Sequence, residues 1–302
     1  MGAAWPELRR VMREGSRIVG RYAPSPTGDL HPGNLRTALE AWRWVRQRNG
    51  VFLLRLEDID TPRTVPGSET RILEDLHWLG IDWDEGPDRG GPAGPYRQSE
   101  RTEVYEVALS RLRRAGLTYL CTCSRRDLRE ASAPHGPEGP IYPGTCRGTD
   151  RHRQRRHPNG AAERLRVDRV GPIEFHDLIV GRQWFDLERL CGDFIVRRRD
   201  RLWAYQLACA VDDALMGVTH VLRGADLVTS TPRQIAVIRM LGFEEPLYGH
   251  LPLVADPAGR RMCKRGGSQS IRNWRQAGMH PAEARDRIMR MPLLAPEPGR
   301  PD

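Results

Sequence analysis

One lysine stands among the 48 basic side chains of this 302-residue chain, in the loop Arg261-Met262-Cys263-Lys264-Arg265-Gly266-Gly267. Every other base is arginine, so an arginine default has been suspended at one position. Guanidinium is a broad planar fork, whereas ammonium is a compact point charge on a flexible stem. A site that places one small positive charge against a moving phosphate calls for the second. A further chemistry-bearing string is Arg21-Tyr22-Ala23-Pro24-Ser25-Pro26-Thr27-Gly28-Asp29-Leu30-His31-Pro32-Gly33-Asn34. Gly28 and Gly33 allow close approach of the backbone, and His31 adds a hydrogen-bond donor. A helix beginning there offers unpaired N–H groups to phosphate. Cys121-Thr122-Cys123 places two sulfurs at a single bend, and thiolates suit tetrahedral zinc.

The elements that must position these groups alternate in the first part of the chain. Residues 17–23 read as a strand, 33–50 as a helix, 51–56 as a buried strand, and 68–79 and 101–115 as helices closed by Gly80 and Gly116. Strand–helix alternation with short links predicts a parallel, doubly wound α/β sheet of Rossmann type, with ligands at the carboxyl ends of its strands. From 117 to 190 helical periodicity fades and Gly, Pro and basic residues crowd together, which predicts an insertion. The pattern is expected to resume with a strand over 193–197, a helix over 204–216, a strand over 218–222, and a helix opening at Thr231-Pro232. The expected organisation is therefore 1–116 and 191–250 as two halves of one catalytic domain, 117–190 as the insertion, and 251–302 as the lysine-loop region with a short helical tail.

The net charge of +9 and isoelectric point near 9.7 favour a polyanionic partner such as RNA. The run from Arg147 to His157 is a candidate for phosphate contacts. Residues 1–20 lack the apolar core of a signal peptide, Pro6 stands where a myristoylation signal wants Ser or Thr, and no stretch has the roughly 20 apolar residues of a membrane span. A cytoplasmic monomer without a membrane partner is expected, its cysteines thiols or metal ligands. Cys191 and Cys209 read as inert buried thiols.

The string from Arg21 to Asn34 resembles that of class I glutamyl-tRNA synthetases, with His31-Pro32-Gly33-Asn34 similar to the family's H-I-G-H signature. The loop from Arg261 to Arg265 resembles its K-M-S-K-S loop, with Arg261 in place of the first lysine and Cys263 in place of the central serine. Leu56-Glu57-Asp58-Ile59-Asp60-Thr61-Pro62-Arg63 and Leu222-Arg223-Gly224-Ala225-Asp226-Leu227 match further family blocks. Only 37 residues follow Arg265, and this shortness resembles the glutamyl-queuosine tRNA(Asp) synthetase branch, which has no anticodon-binding domain. The resemblance implies tRNA-independent activation of glutamate with Mg²⁺-ATP, then transfer to the queuosine base of tRNA(Asp). It implies His31 and Lys264 as catalytic groups, with Gly33 and Asn34 also at ATP. For glutamate it implies Arg21, Tyr22, Ala23, Pro24, Ser25, Glu57, Tyr205 and Arg223, the two arginines gripping carboxylates and Glu57 meeting the ammonium. It further implies one structural zinc in an acceptor-binding-like insertion, on Cys121, Cys123, Tyr142 and Cys146, with His135 an alternative to Tyr142. The rival readings are a shortened enzyme charging the 3′ end of tRNA(Glu) and a non-catalytic RNA- or amino-acid-binding relic.

On this reading Lys264→Ala lowers glutamate activation by about 10²-fold or more, the usual cost of one preorganised charge. Lys264→Arg recovers little of it. Glutamate-dependent ATP–pyrophosphate exchange is the measurement, and full exchange by the arginine variant would overturn the argument.

Overall fold

A computed structural model describes residues 17–124, 127, 135–136, 139–148, 160–256, 262 and 270–294. In chain order, β1 (Val19–Tyr22), α1 (Pro32–Arg46), β2 (Val51–Leu54), α2 (Ser68–Trp78) and α3 (Thr102–Arg114) come first. Then follow β3 (Thr118–Cys121), the two-residue β4 (His135–Gly136) and β5 (Gly139–Pro140), and β6 (Ala162–Leu165). Next are β7 (Ile173–Asp177), β8 (Gly181–Phe185), α4 (Leu187–Leu190), β9 (Ile195–Arg197) and α5 (Tyr205–Leu215). β10 (His220–Gly224), α6 (Thr231–Leu241), β11 (Leu247–Leu251), α7 (Ile271–Gln276) and α8 (Pro281–Met289) complete the series.

The main sheet has the order β2-β1-β10-β11-β7-β8. Its contacts are parallel from β2 through to β7, and β7–β8 is an antiparallel hairpin. The fold is α/β and Rossmann-type. Strand β2 shows why it is layered. All four of its residues are buried, as in a parallel strand covered on both faces. Val51 and Leu53 enter one apolar cluster with residues of α3, α5 and α6, while Phe52 and Leu54 enter the other with residues of α1, α2, α7 and α8. Side chains that alternate across a strand thus feed two cores.

Two expectations need correction. The strand at the end of 193–197 is not in the main sheet: β9 pairs antiparallel with β6 in a separate sheet of order β3-β6-β9. A strand of three residues carries no local sign of its long-range partner. In addition, β7 and β8, which lie within the span read as an insertion, join the main sheet, and β8 gives it an antiparallel edge. Burial in β8 alternates, as suits a strand with one wet face. No helix among the described residues is long and apolar enough to cross a membrane.

After β1 the chain moves to one side to form β2, and only much later returns to the other side as β10. The carboxyl ends of β1 and β10 are therefore the switch point of the sheet, where the flanking connections diverge and leave a crevice.

Candidate active site and cysteine cluster

That crevice holds a cavity of about 660 Å³. Arg21, Tyr22, Ala23, Pro24, Ser25, His31, Gly33, Asn34, Glu57, Tyr205 and Arg223 all line it, together with Thr27, Asp60 and Arg63, which lie in the quoted strings but were given no role. Arg261, Cys263 and Lys264 lie outside the described residues. Met262, two positions before the lysine, borders the cavity, and its N–H donates to the Val254 carbonyl at 2.9 Å.

His31 is the N-cap of α1. Its Nδ1 accepts from the amides of Gly33 (3.1 Å) and Asn34 (3.4 Å), and Asn34 Oδ1 in turn accepts from the His31 amide at 3.5 Å. A neutral ring that accepts at Nδ1 carries its proton on Nε2. Two amides that the sequence reading offered to a phosphate are thus taken by the imidazole, leaving the end of the helix dipole and the ring itself as the electropositive features. Gly33 has a steric reason: a Cβ there would lie 2.9 Å from His31 Cε1. Gly28 has a conformational one, φ of 123°. Ser68 clamps it, with Oγ accepting from the Gly28 amide at 3.2 Å and donating to its carbonyl at 2.9 Å.

Beneath the cavity floor lies a dry ionic cluster. Arg55, fully buried just after β2, donates from Nη1 to Asp213 Oδ1 (2.7 Å) and from Nη2 to Glu57 Oε1 (3.0 Å). Arg21 donates from Nε and Nη2 to the two oxygens of Asp213 at 3.2 and 3.4 Å. Its fork is therefore partly taken by the protein's own carboxylate. Burial alone would raise the Asp213 carboxyl, but Arg21 and Arg55 outweigh it and hold the group at about 2. The neighbouring Asp212 accepts from Arg101 Nε (2.7 Å), Gln98 Nε2 (2.7 Å) and the Tyr105 hydroxyl (2.8 Å). Glu57 Oε1 also accepts from the Cys209 thiol at 2.9 Å, so this buried cysteine touches a cavity-lining residue. Burial, and then the nearby Glu57, keep that thiol protonated. Tyr205, at the first turn of α5, stays a phenol because burial pushes its pKa far up.

Arg223 differs from Arg21. It is buried, yet its partners are neutral: His250 Nε2 (3.2 Å), Gln234 Oε1 (2.7 Å) and Thr231 Oγ1 (2.7 Å). No carboxylate among the described residues pairs with it. A desolvated guanidinium facing a cavity without a counter-charge is a ready partner for an anionic ligand.

Away from the crevice, the sulfurs of Cys121, Cys123 and Cys146 lie within 4.8 Å of one another and could hold a metal ion. The Tyr142 hydroxyl lies 3.4 Å from Cys121 Sγ, and Arg164 covers the tyrosine ring at 3.8 Å. Burial raises Tyr142 strongly and Cys123 to about 12, whereas at Cys146 burial is outweighed by hydrogen bonds, which lower the thiol. The side chain of His135 lies outside the described residues. The cluster is tied to the catalytic sheet's neighbour β9 by Arg199, which donates to the carbonyls of Thr122 (2.7 Å) and Cys123 (3.0 Å). Of the basic run expected to meet RNA, Arg147 is gripped through two bonds by Asp193 at 2.6 and 2.7 Å, and residues 149–157 lie outside the described residues.

The sequence reading missed Arg55, Asp212, Asp213, Asp177 and His250. A signal existed for one pair. Asp212-Asp213 sits in the otherwise apolar run Leu207–Leu215, where uncompensated charge is costly and a buried partner is implied.

Comparison with known proteins points to one family. The family described as "tRNA synthetases class I (E and Q), catalytic domain" matches residues 17–296. A glutamyl-Q tRNA(Asp) synthetase of Symbiobacterium thermophilum is 51% identical over 94% of this chain and 90% of its own length. A glutamate–tRNA ligase 2 of Alkalilimnicola ehrlichii is 45% identical over 91% of this chain and 59% of its own. The crystal structure of a glutamate–tRNA synthetase from Elizabethkingia anophelis superposes with a TM-score of 0.73 at 30% identity, over 84% of this chain. The chain spans 54% of that structure.

Removing the central carboxylate tests the ionic floor. Asp213→Ala leaves Arg21 and Arg55 facing each other in a dry site and should destabilise the fold by about 3–5 kcal/mol, the range for breaking a buried pair. The folded-state pKa is depressed, so the native contribution of Asp213 is complete above the unfolded value of roughly 4 and is lost as pH falls through about 2. Urea unfolding of parent and variant between these limits should therefore show the difference shrinking with acidity. A gap independent of pH would refute the assignment.

Proposed function

Because this chain belongs to the class I tRNA synthetase (E and Q) catalytic-domain family, and so is an ATP-dependent ligase, we propose that its crevice joins L-glutamate to ATP as glutamyl-adenylate without needing tRNA. The observation that carries the reading is the buried, carboxylate-free guanidinium of Arg223 at a cavity that Arg21 and Glu57 also line. Arg223, and the donors of Arg21 not held by Asp213, receive the carboxylates of glutamate. Glu57 Oε2, which has no partner among the described residues, receives the ammonium. ATP, carried with Mg²⁺, lies along the start of α1. A glutamate α-carboxylate oxygen bonds to the α-phosphorus as the bond to the oxygen bridging the β-phosphate breaks, and pyrophosphate leaves. The α1 dipole, His31 and the Lys264 ammonium stabilise the charge that develops. No side chain forms a covalent intermediate.

We propose further that the glutamyl group passes to a hydroxyl of the queuosine base in tRNA(Asp), with AMP as leaving group. Relatives named glutamyl-Q tRNA(Asp) synthetase, at 51, 47 and 48% identity, support this acceptor. Those named glutamate–tRNA ligase, at 45–47%, make the 3′ end of tRNA(Glu) the competing one. Cys121, Cys123 and Cys146 with Tyr142 are proposed to hold one zinc ion, which would neutralise the thiolates and fasten the loops around β3. Both the donor set and the closeness of the sulfurs fit it.

Two experiments decide these points. With labelled glutamate and ATP, nuclease digestion should place the label on the anticodon-loop fragment of queuosine-containing tRNA(Asp), with none on tRNA(Asp) lacking queuosine and little on tRNA(Glu). Label on the 3′-terminal fragment of tRNA(Glu) at a comparable rate would establish the competing acceptor. Elemental analysis should find about one zinc per chain by the ligand-count argument, lost in Cys121→Ser and Cys146→Ser. Metal-free protein with three freely reactive thiols would refute the zinc site.

A further inference from the structure

Arg223, His250 and Asp177 lie on three neighbouring strands, β10, β11 and β7, with Arg223 and His250 directly opposite in the ladder. His250 is fully buried. Its Nδ1 is 2.5 Å from Asp177 Oδ2, and its Nε2 accepts from Arg223 Nε at 3.2 Å. Asp177 Oδ1 is already occupied by three amides, those of His250 (3.1 Å), Ile179 (3.0 Å) and Val180 (3.0 Å). A carboxylate so surrounded by donors stays ionised, which leaves Oδ2 as an acceptor and places the ring proton on Nδ1. The lone pair on Nε2 then faces Arg223.

We propose that Asp177 and His250 are positioning residues for substrate binding: Asp177 selects the imidazole tautomer, and the imidazole sets the rotation of the Arg223 guanidinium. Arg223 has five N–H donors. Nε is held by His250, one on Nη1 by Gln234 and one on Nη2 by Thr231. One N–H on each terminal nitrogen remains for the ligand in the cavity. The inference rests on the reading that this ligand is a carboxylate of glutamate. The groups that face His250 are Asp177 from β7, Arg223 from β10, Thr231 from α6, the ring of Tyr248 on its own strand, stacked at 6.3 Å, and, farther off, Arg21 from β1. With Nε2 bare, the Thr231 hydroxyl donates to it at 2.9 Å while accepting from Arg223 Nη2, so it calls for the same tautomer. A second proton on Nε2 would set two N–H groups and two positive charges against each other. Burial, with the Arg223 charge adding to it, disfavours that proton and lowers the His250 pKa.

Asp177→Asn separates this role from simple packing. Asparagine keeps Oδ1 for the three amides but turns Oδ2 into an NH₂ donor, which favours the tautomer protonated on Nε2 and opposes the Arg223 Nε–H. In ATP–pyrophosphate exchange the variant should raise KM for glutamate about 10-fold, the scale of one misdirected charge-assisted hydrogen bond, and leave kcat and KM for ATP within about twofold. In the parent protein, ¹⁵N spectra of His250 at neutral pH should show Nδ1 protonated and Nε2 bare. An unchanged glutamate KM, an equal rise in both KM values, or a parent ring protonated on Nε2 would overturn the proposal. Absence of exchange in the parent protein would instead count against the proposed function, and the spectra would still decide the tautomer.

Discussion

The cavity floor depends on one carboxylate. Asp213 arrives on α5, and the two guanidiniums that it holds arrive with β1 and just after β2. Without it Arg21 would lose its carboxylate and Arg55 would keep only the Glu57 carboxylate at hydrogen-bond distance, and an uncompensated charge in such a site costs several kcal/mol. The same contact fixes Arg55, which fixes Glu57. A helix, two strands and the loop after β2 are thereby locked in one mutual arrangement. The cavity above inherits its shape and sign from that lock.

Electrostatics within the cavity follow from which arginines are compensated. Below the surface, Arg21, Arg55 and Arg101 are met by Glu57, Asp212 and Asp213. Arg223 is left with neutral partners, so the positive potential is concentrated on the side formed by β10. On the other side the N-terminus of α1, capped by an imidazole instead of an acid, adds its dipole without a local negative charge. An anionic ligand thus meets two attractive walls, and Glu57 adds a carboxylate acceptor to the same lining. Such polarity suits a molecule carrying carboxylate, ammonium and phosphate groups at once.

The small sheet has another basis for its stability. Leu165 of β6 and Val196 of β9 join the first core of the main sheet, but at β3 the apolar cluster is only Tyr119, Cys121, Tyr142 and Cys146 with Cys123 packed against it. Buried polar contacts take over much of the work there: Asp193 joins Arg147, the Tyr119 hydroxyl and the Val167 amide, and Glu163 joins Arg113 and Thr118. Arg198 and Arg199 connect this unit to the loop at Asp60 and to the cysteine bend. Polar contacts that water can exchange thus join the unit to Asp60 of the cavity lining.

The residue order alone determined the α/β class, the site string from Arg21 to Asn34, the Cys121–Cys123 bend and most helix limits, because each depends on neighbours a few positions apart. The string lies at a strand end and a helix start, and caps, glycines and apolar periodicity are local physics. Which sheet β9 joins and the return of β7 and β8 to the main sheet were decided only in three dimensions, since strand partners come from far along the chain. So were the pairing of Asp213 with Arg21 and Arg55, 192 and 158 positions away, and the relay from Asp177 through His250 to Arg223. Buried charges and tautomers obey the groups that surround them in space, and no spacing in the sequence records those groups.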